Sequence, residues 1–317
     1  MHSIRRVLVI MAVCVLLAPF APHAAERAKS ADASPRFVRV GHYQCVCRQG
    51  DFDANLATVK KGLAQAVDAK LDIVSFPECF LTGYYAKGSD AREHAFAVDS
   101  PEMKRVLGLT AGCDTVLLVG FNELRDAKLY NTVAVIERGK LLGRYSKSLP
   151  YEGYFEPGRE FTVFEKKGLK FGIVICSDGG YIEPTRILAL KGARFIFAPH
   201  FNFVSDPVQH YVTVRNDHVA RAVENGVFFL RANNVVPGTR LEGLRDEGFG
   251  YGDSYLLDPN GQMVAGAGLF HEHLMIYQLD LDQKYRAAWN QRSIKSGTEL
   301  LGQLREALEL HKQPKQR

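Results

Sequence analysis

The chain has 317 residues, 46% of them hydrophobic and 24% charged, with a formal net charge of +5. That is ordinary globular composition, long enough for a large core. Arg5, Arg6, Lys312, Lys315 and Arg317 stand in the terminal segments, so the body is near neutral, and no basic stripe interleaved with aromatics marks a nucleic-acid surface.

The N-terminus reads as a targeting segment. Arg5 and Arg6 form a positive start, and Val7 to Phe20 is an apolar run too short for a comfortable membrane span. Small residues follow at Ala21, Ala24 and Ala25. Residues 1–25 are therefore expected to be a signal peptide and 26–36 a flexible polar leader, with the mature chain exported to the periplasm or beyond and keeping no membrane span. Of six cysteines, Cys14 lies in the apolar run. Cys45, Cys47, Cys79, Cys113 and Cys176 remain, an odd number that leaves at least one free thiol and is too few for a disulfide scaffold. A Cys45–Cys47 bridge across one residue is geometrically poor.

Phe37 to Cys45 reads as the first strand. Asp51 or Asp53 can cap a helix in which Leu56, Val59, Leu63 and Val67 recur at helical spacing. Leu71 to Phe76 is a second strand running into Pro77-Glu78-Cys79. Strand, helix and strand in succession imply a crossover in an α/β sheet. Val116 to Glu123 is a third strand, and Leu129 to Tyr145 a hairpin turning at Gly139, with Lys147 just beyond. Pro150 to Gly158 is an aromatic loop. Phe171 to Ile175 is an apolar run that ends at Cys176, followed by Gly179-Gly180 and a helix from Glu183 to Gly192. Ala193 to Pro199 is another buried strand, Val212 to Asn225 a helix, and Gly226 to Asn233 a strand. Tyr251 to Pro259 and Met275 to Leu281 are strands, with a turn at Asn260-Gly261 between them. Leu300 to His311 has the pattern of an amphipathic helix. The body reads as one domain over 37–285, with a C-terminal extension over 286–317.

Glu78 and Cys176 both stand at strand ends, where open α/β sheets keep their ligands. A carboxylate near a thiol can serve as its general base. Read singly, Cys176 fits a buried small hydrophobe equally well, Glu78 a solvated loop carboxylate, and Lys147 a surface charge.

Together these segments resemble the nitrilase (carbon–nitrogen hydrolase) superfamily. The resemblance covers about residues 37 to 282 and rests on six segments in order. They are Phe76-Pro-Glu78 with Leu81 to Tyr84; Tyr130-Asn-Thr to Lys147; Glu152 with Phe155 to Gly158; Ile175-Cys176-Ser-Asp178 to Glu183 with Arg186; Arg221 to Asn225; and Gly252 to Gly261. It implies a four-layer α-β-β-α sandwich and a catalytic Glu78–Lys147–Cys176 triad. Glu152 and the Ser177 backbone would support it, and no cofactor or metal is called for. It also implies a homodimer or larger homo-oligomer, in which Leu300 to His311 could take part. Leu149, Ser177 and Gly180 stand where His, an aromatic residue and Arg are common. Ser-Asp after the cysteine looks like the amidase and N-carbamoyl amidohydrolase branch, so a small amide or carbamoyl substrate is expected in preference to a nitrile. Tyr154, Phe201 and Asn202 are pocket candidates by position. Two further readings stay open. One is a catalytically silent binding member of the same fold. The other is a metal hydrolase built on His271 and His273 with His200 or His210.

Overall fold

The computed structural model describes residues 36–244, 246–285 and 300–309. The expected signal peptide at 1–25 and the expected leader at 26–36, apart from Arg36, lie outside the described residues, as do residues 286–299 and 310–317 of the expected extension. Within that extension, residues 300–309 are helical, with Leu300, Leu301, Leu304 and Leu308 all exposed.

The elements in chain order are β1 (Phe37–Gln44), α1 (Phe52–Asp68), β2 (Ile73–Ser75), α2 (Gly88–Glu93), α3 (Pro101–Leu109), β3 (Val116–Arg125), β4 (Lys128–Glu137), β5 (Lys140–Ser146), β6 (Phe164–Lys166) and β7 (Leu169–Ile173), then α4 (Ile182–Leu190), β8 (Phe195–Pro199), α5 (Pro207–Asn225), β9 (Phe228–Ala232), β10 (Val235–Val236), β11 (Gly250–Leu257), β12 (Met263–Leu269) and β13 (His273–Asp280). One sheet runs β13-β1-β2-β3-β4-β5. The other runs β10-β11-β9-β8-β7-β6, with β12 on the side of β11. The β1-β2-β3 and β7-β8-β9 pairs are parallel and sit at the heart of each sheet.

Side-chain alternation explains the layering. On β1, β3 and β4, Val38, Val40, Val116, Leu118, Val133 and Val135 point to the interior between the sheets. From the second sheet, Phe171, Ile173, Phe195, Phe197, Phe228 and Leu230 meet them there. The alternate residues of the first sheet, Leu117, Val119, Phe121 and Ile136, face outward onto Leu56, Val59 and Leu63 of α1 and Met103 and Val106 of α3. Those of the second, Ile196, Ala198 and Phe229, face Leu188 of α4 and Ala222 of α5. Strands buried on both faces need apolar residues at every position, which is why they read as unbroken runs. The result is the expected four-layer sandwich.

Capping sets the helix starts. Asp51 Oδ1 accepts from the Ala54 N–H at 2.9 Å. The expected helix at Val212 begins at Pro207 instead, because the Asp206 side chain caps Gln209 and Pro207 suits the first turn. The short α2, α3 and β6 were not among the expected elements. The described cysteines are all free thiols.

Candidate active site

Glu78 follows β2 through a tight turn. Cys79 has φ +49°, and the turn lies so close to β3 that a Cβ on Gly120 would stand 2.6 Å from the Cys79 nitrogen and 2.7 Å from the Pro77 oxygen. Only glycine permits that approach. The Glu78 side chain is fully buried, and both of its oxygens accept hydrogen bonds. Its Oε1 accepts from Lys147 Nζ at 2.8 Å and from Asn131 Nδ2 at 2.6 Å, and its Oε2 accepts from the Phe201 N–H at 2.8 Å. Lys147 leaves the end of β5, its own N–H donating to the Asn131 carbonyl at 2.8 Å, and is 1% exposed.

Cys176 stands three residues beyond Ile173, where the chain leaves β7 and enters a single 3-10 turn, Cys176–Gly180. Its φ of +46° is unusual for a residue with a side chain, and such conformations persist only where surrounding contacts enforce them. The enforcing group is the buried Asp178. Its carboxylate accepts from the Ile175 N–H (3.0 Å), the Ser148 N–H (3.1 Å) and Oγ (2.9 Å), the Leu149 N–H (2.8 Å) and the Tyr145 hydroxyl (2.8 Å). Ser177 Oγ donates to the Leu149 carbonyl at 2.7 Å. The cysteine turn and the lysine loop are thus laced together.

A cavity of about 780 Å³ opens over these groups, lined by Lys147, Glu152, Cys176, His200, Phe201 and Asn202 among others. Burial, reinforced by the negative charge of Glu78, pushes the Cys176 thiol up to about 12, with Lys147 pulling the other way. It is therefore a thiol at neutral pH and needs a base in step with attack. Burial acts to lower Lys147, but the adjoining Glu78 carboxylate reverses this and holds the ammonium above its ordinary value. Burial and then Glu78 raise Glu152 to about 8, and its Oε2 is buried without a hydrogen-bond partner.

The remaining pocket candidates also reach this cavity. Ser177 and Tyr154 line it, and the Tyr154 hydroxyl donates to the Tyr85 carbonyl at 2.6 Å. Phe201 stacks on Tyr84 with ring centroids 5.1 Å apart. Asn202 Oδ1 accepts from Arg231 at 2.6 Å, which aims its Nδ2 toward Cys176 Sγ, 4.0 Å away. The sequence reading did not identify Asn131, Asp178 as a clasp, or the α5 face carrying His210, Val214, Asp217 and His218. The 3–4 spacing of that last set was the available signal. The histidines of the metal reading are not assembled. His200 and His210 line the cavity, His271 and His273 are exposed, and among the described residues no group of three or more His, Cys, Asp or Glu could hold a metal ion.

Residues 39–288 match the family model described as carbon–nitrogen hydrolase. The chain belongs to the carbon–nitrogen hydrolase family. It is similar to an N-carbamoylputrescine amidase of Solanum tuberosum, 31% identical over 268 residues that span 78% of this chain and 88% of the relative. It is also similar to an (R)-stereoselective amidase of a Pseudomonas species, 28% identical over 78% of this chain and 86% of the relative. Among solved structures it matches Nit3 of Saccharomyces cerevisiae, a member of the nitrilase superfamily, with TM-score 0.67 and 24% identity, covering 88% of this chain and 96% of that one. The fold is that of the nitrilase superfamily, and the protein is an enzyme, an amidase-type carbon–nitrogen hydrolase.

Proposed function

We propose that the protein hydrolyses a small amide or N-carbamoyl compound through a thioester on Cys176, with Glu78 as general base and Lys147 as oxyanion stabiliser. The observation that carries this is the buried Glu78 carboxylate, 2.8 Å from Lys147 Nζ, behind a cavity that Lys147 and the Cys176 thiol line together. Because the thiol is protonated, Glu78 takes its proton as Sγ bonds to the substrate carbonyl carbon and the π pair moves to oxygen. The Lys147 ammonium, with the backbone N–H of Ser177, stabilises that oxygen. Collapse re-forms the carbonyl and breaks the C–N bond, and Glu78 returns its proton to the departing nitrogen. Water then adds to the thioester, giving a proton to Glu78. The C–S bond breaks, and the proton passes back to sulfur. The amide and carbamoyl substrates of the relatives named above support this choice of substrate class.

Cys176→Ala is expected to abolish ammonia release while keeping the circular-dichroism spectrum and melting temperature of the parent. Mass spectrometry of the parent quenched with substrate should find the acyl adduct on Cys176. Undiminished turnover by the alanine variant would remove the proposal. We further propose that the mature protein is exported, which N-terminal sequencing of the cell-envelope fraction tests. We also propose that it is homo-oligomeric, consistent with the exposed Ile182, Leu190, Val208 and Val212 on α4 and α5. Sedimentation equilibrium tests that.

A further inference from the structure

One wall of the cavity is a single face of α5, carrying His210, Val214, Asp217 and His218. His210 and His218 are committed, each through Nδ1 to a tyrosine hydroxyl at 2.8 Å, that of Tyr251 and of Tyr255. Both are held uncharged, first by burial and then by the nearby Arg231. Asp217 differs. It is half-buried and shows no hydrogen bond or ion pair among the described residues; the one charge acting on it is that of Arg221, one turn on, which is itself paired with Glu224. Burial raises its affinity for a proton, as expected of a carboxylate short of solvation.

Across from Asp217 is Gly180, at the end of the cysteine turn. A Cβ there would meet a single atom within 4 Å, Asp217 Oδ2 at 3.5 Å. A larger side chain at 180 would fill the lane between the cysteine turn and α5, and glycine leaves it open. Among the described residues lining the cavity the one cation of Lys or Arg type is Lys147, already bound to Glu78. Glu247 pairs with Arg240, while Asp246 adds a further exposed carboxylate at the mouth.

We infer that Asp217 determines specificity: the substrate's far end runs past Gly180 and carries an ammonium or similar cation that pairs with this carboxylate. This rests on the amidase reading above for the near end of the substrate. The test uses three amides of one chain length ending in methyl, ammonium and carboxylate. Ammonia release is measured for the parent, Asp217→Asn and Asp217→Lys. In parallel, calorimetry measures binding of the ammonium and methyl amides to Cys176→Ala with and without Asp217→Asn.

The parent should rank the amides ammonium, methyl, carboxylate in kcat/KM. Asp217→Asn should lower the ammonium-to-methyl ratio about three- to fivefold, the scale of one half-exposed ion pair. Asp217→Lys should lift the carboxylate amide above the ammonium one, an inversion that loss of packing alone does not produce. An unchanged ammonium-to-methyl ratio in Asp217→Asn, by turnover and by binding, overturns the inference, as does a parent that prefers the carboxylate amide. If no amide is turned over but binding keeps an Asp217-dependent ammonium preference, the amidase reading fails and the role of Asp217 stands.

Discussion

Glu152 is expected to set the alkaline edge of activity. With its carboxyl raised to about 8 by burial and by Glu78, it is mostly protonated at pH 7 and has a buried oxygen free for substrate. Above pH 8 it becomes a second negative charge close to Glu78, where a negative oxyanion must also form. The parent's kcat/KM is expected to decline with a single ionisation near pH 8, and Glu152→Gln, permanently neutral, should flatten that limb. A limb that stays near 8 in the glutamine variant assigns it to another group. The linkage to folding has the same sign. A carboxyl raised above its ordinary 4.5 contributes stability that is present at low pH and lost as pH rises through about 8. The residue types of the site were legible because Cys176, Glu78, Lys147 and Glu152 each sit in a short local pattern. Asn131 was not singled out. It contacts Glu78 across 53 residues of chain, and a lone Asn on a strand carries no mark of the carboxylate it will meet.

Asp178 works at the scale of elements. It joins the turn after β7 to the loop after β5, accepting from five donors, of which the Ile175 and Ser148 N–H groups are buried and would lose their side-chain acceptor. Hydrogen bonds to a charged acceptor contribute more than neutral ones, and stranded donors cost more still. Asp178→Ala is therefore expected to lower unfolding free energy by about 3 kcal/mol or more in urea melts. It should also reduce kcat on the order of 100-fold, since Cys176 and Lys147 lose their common tether and each depends on exact placement. Ser148→Ala removes one hydroxyl and should cost about 1 kcal/mol. Equal effects from the two would contradict the clasp. Long, doubly buried strands such as β3 and β8 were readable as apolar runs, and the β4–β5 hairpin by its turn glycine. α2 was not readable, having six residues and one buried side chain, Ala91. The starts of α3 and α5 were marked by Ser100-Pro101 and Asp206-Pro207, cap and proline signals that hydrophobic periodicity overlooks.

At the scale of the molecule, the site gathers groups from both sheets. Glu78 and Lys147 come from the β2 and β5 ends of one, Cys176 and Phe201 from the β7 and β8 ends of the other. Which faces of those strands would meet was beyond periodicity, since a run apolar at every position does not say which side faces the partner sheet. The four-layer expectation came from the family resemblance. The pairing of β13 with β1, from opposite ends of the domain, had no local signal either. The packing makes a prediction that separates fold from chemistry. Phe195, fully buried, packs on Phe197 and Phe228 between the sheets, and Leu63 packs α1 on the outer face. Phe195→Ala should cost about 3–5 kcal/mol and Leu63→Ala about 2–5 kcal/mol. The catalytic groups are fixed by hydrogen bonds rather than by these layers, so kcat per folded molecule should stay within a few-fold of the parent for both. Because neither sheet holds the site alone, activity and near-ultraviolet circular dichroism should disappear together in urea. Activity lost well before the tertiary signal would mean that the cysteine turn and lysine loop open as a unit of their own, with the sandwich still intact behind them.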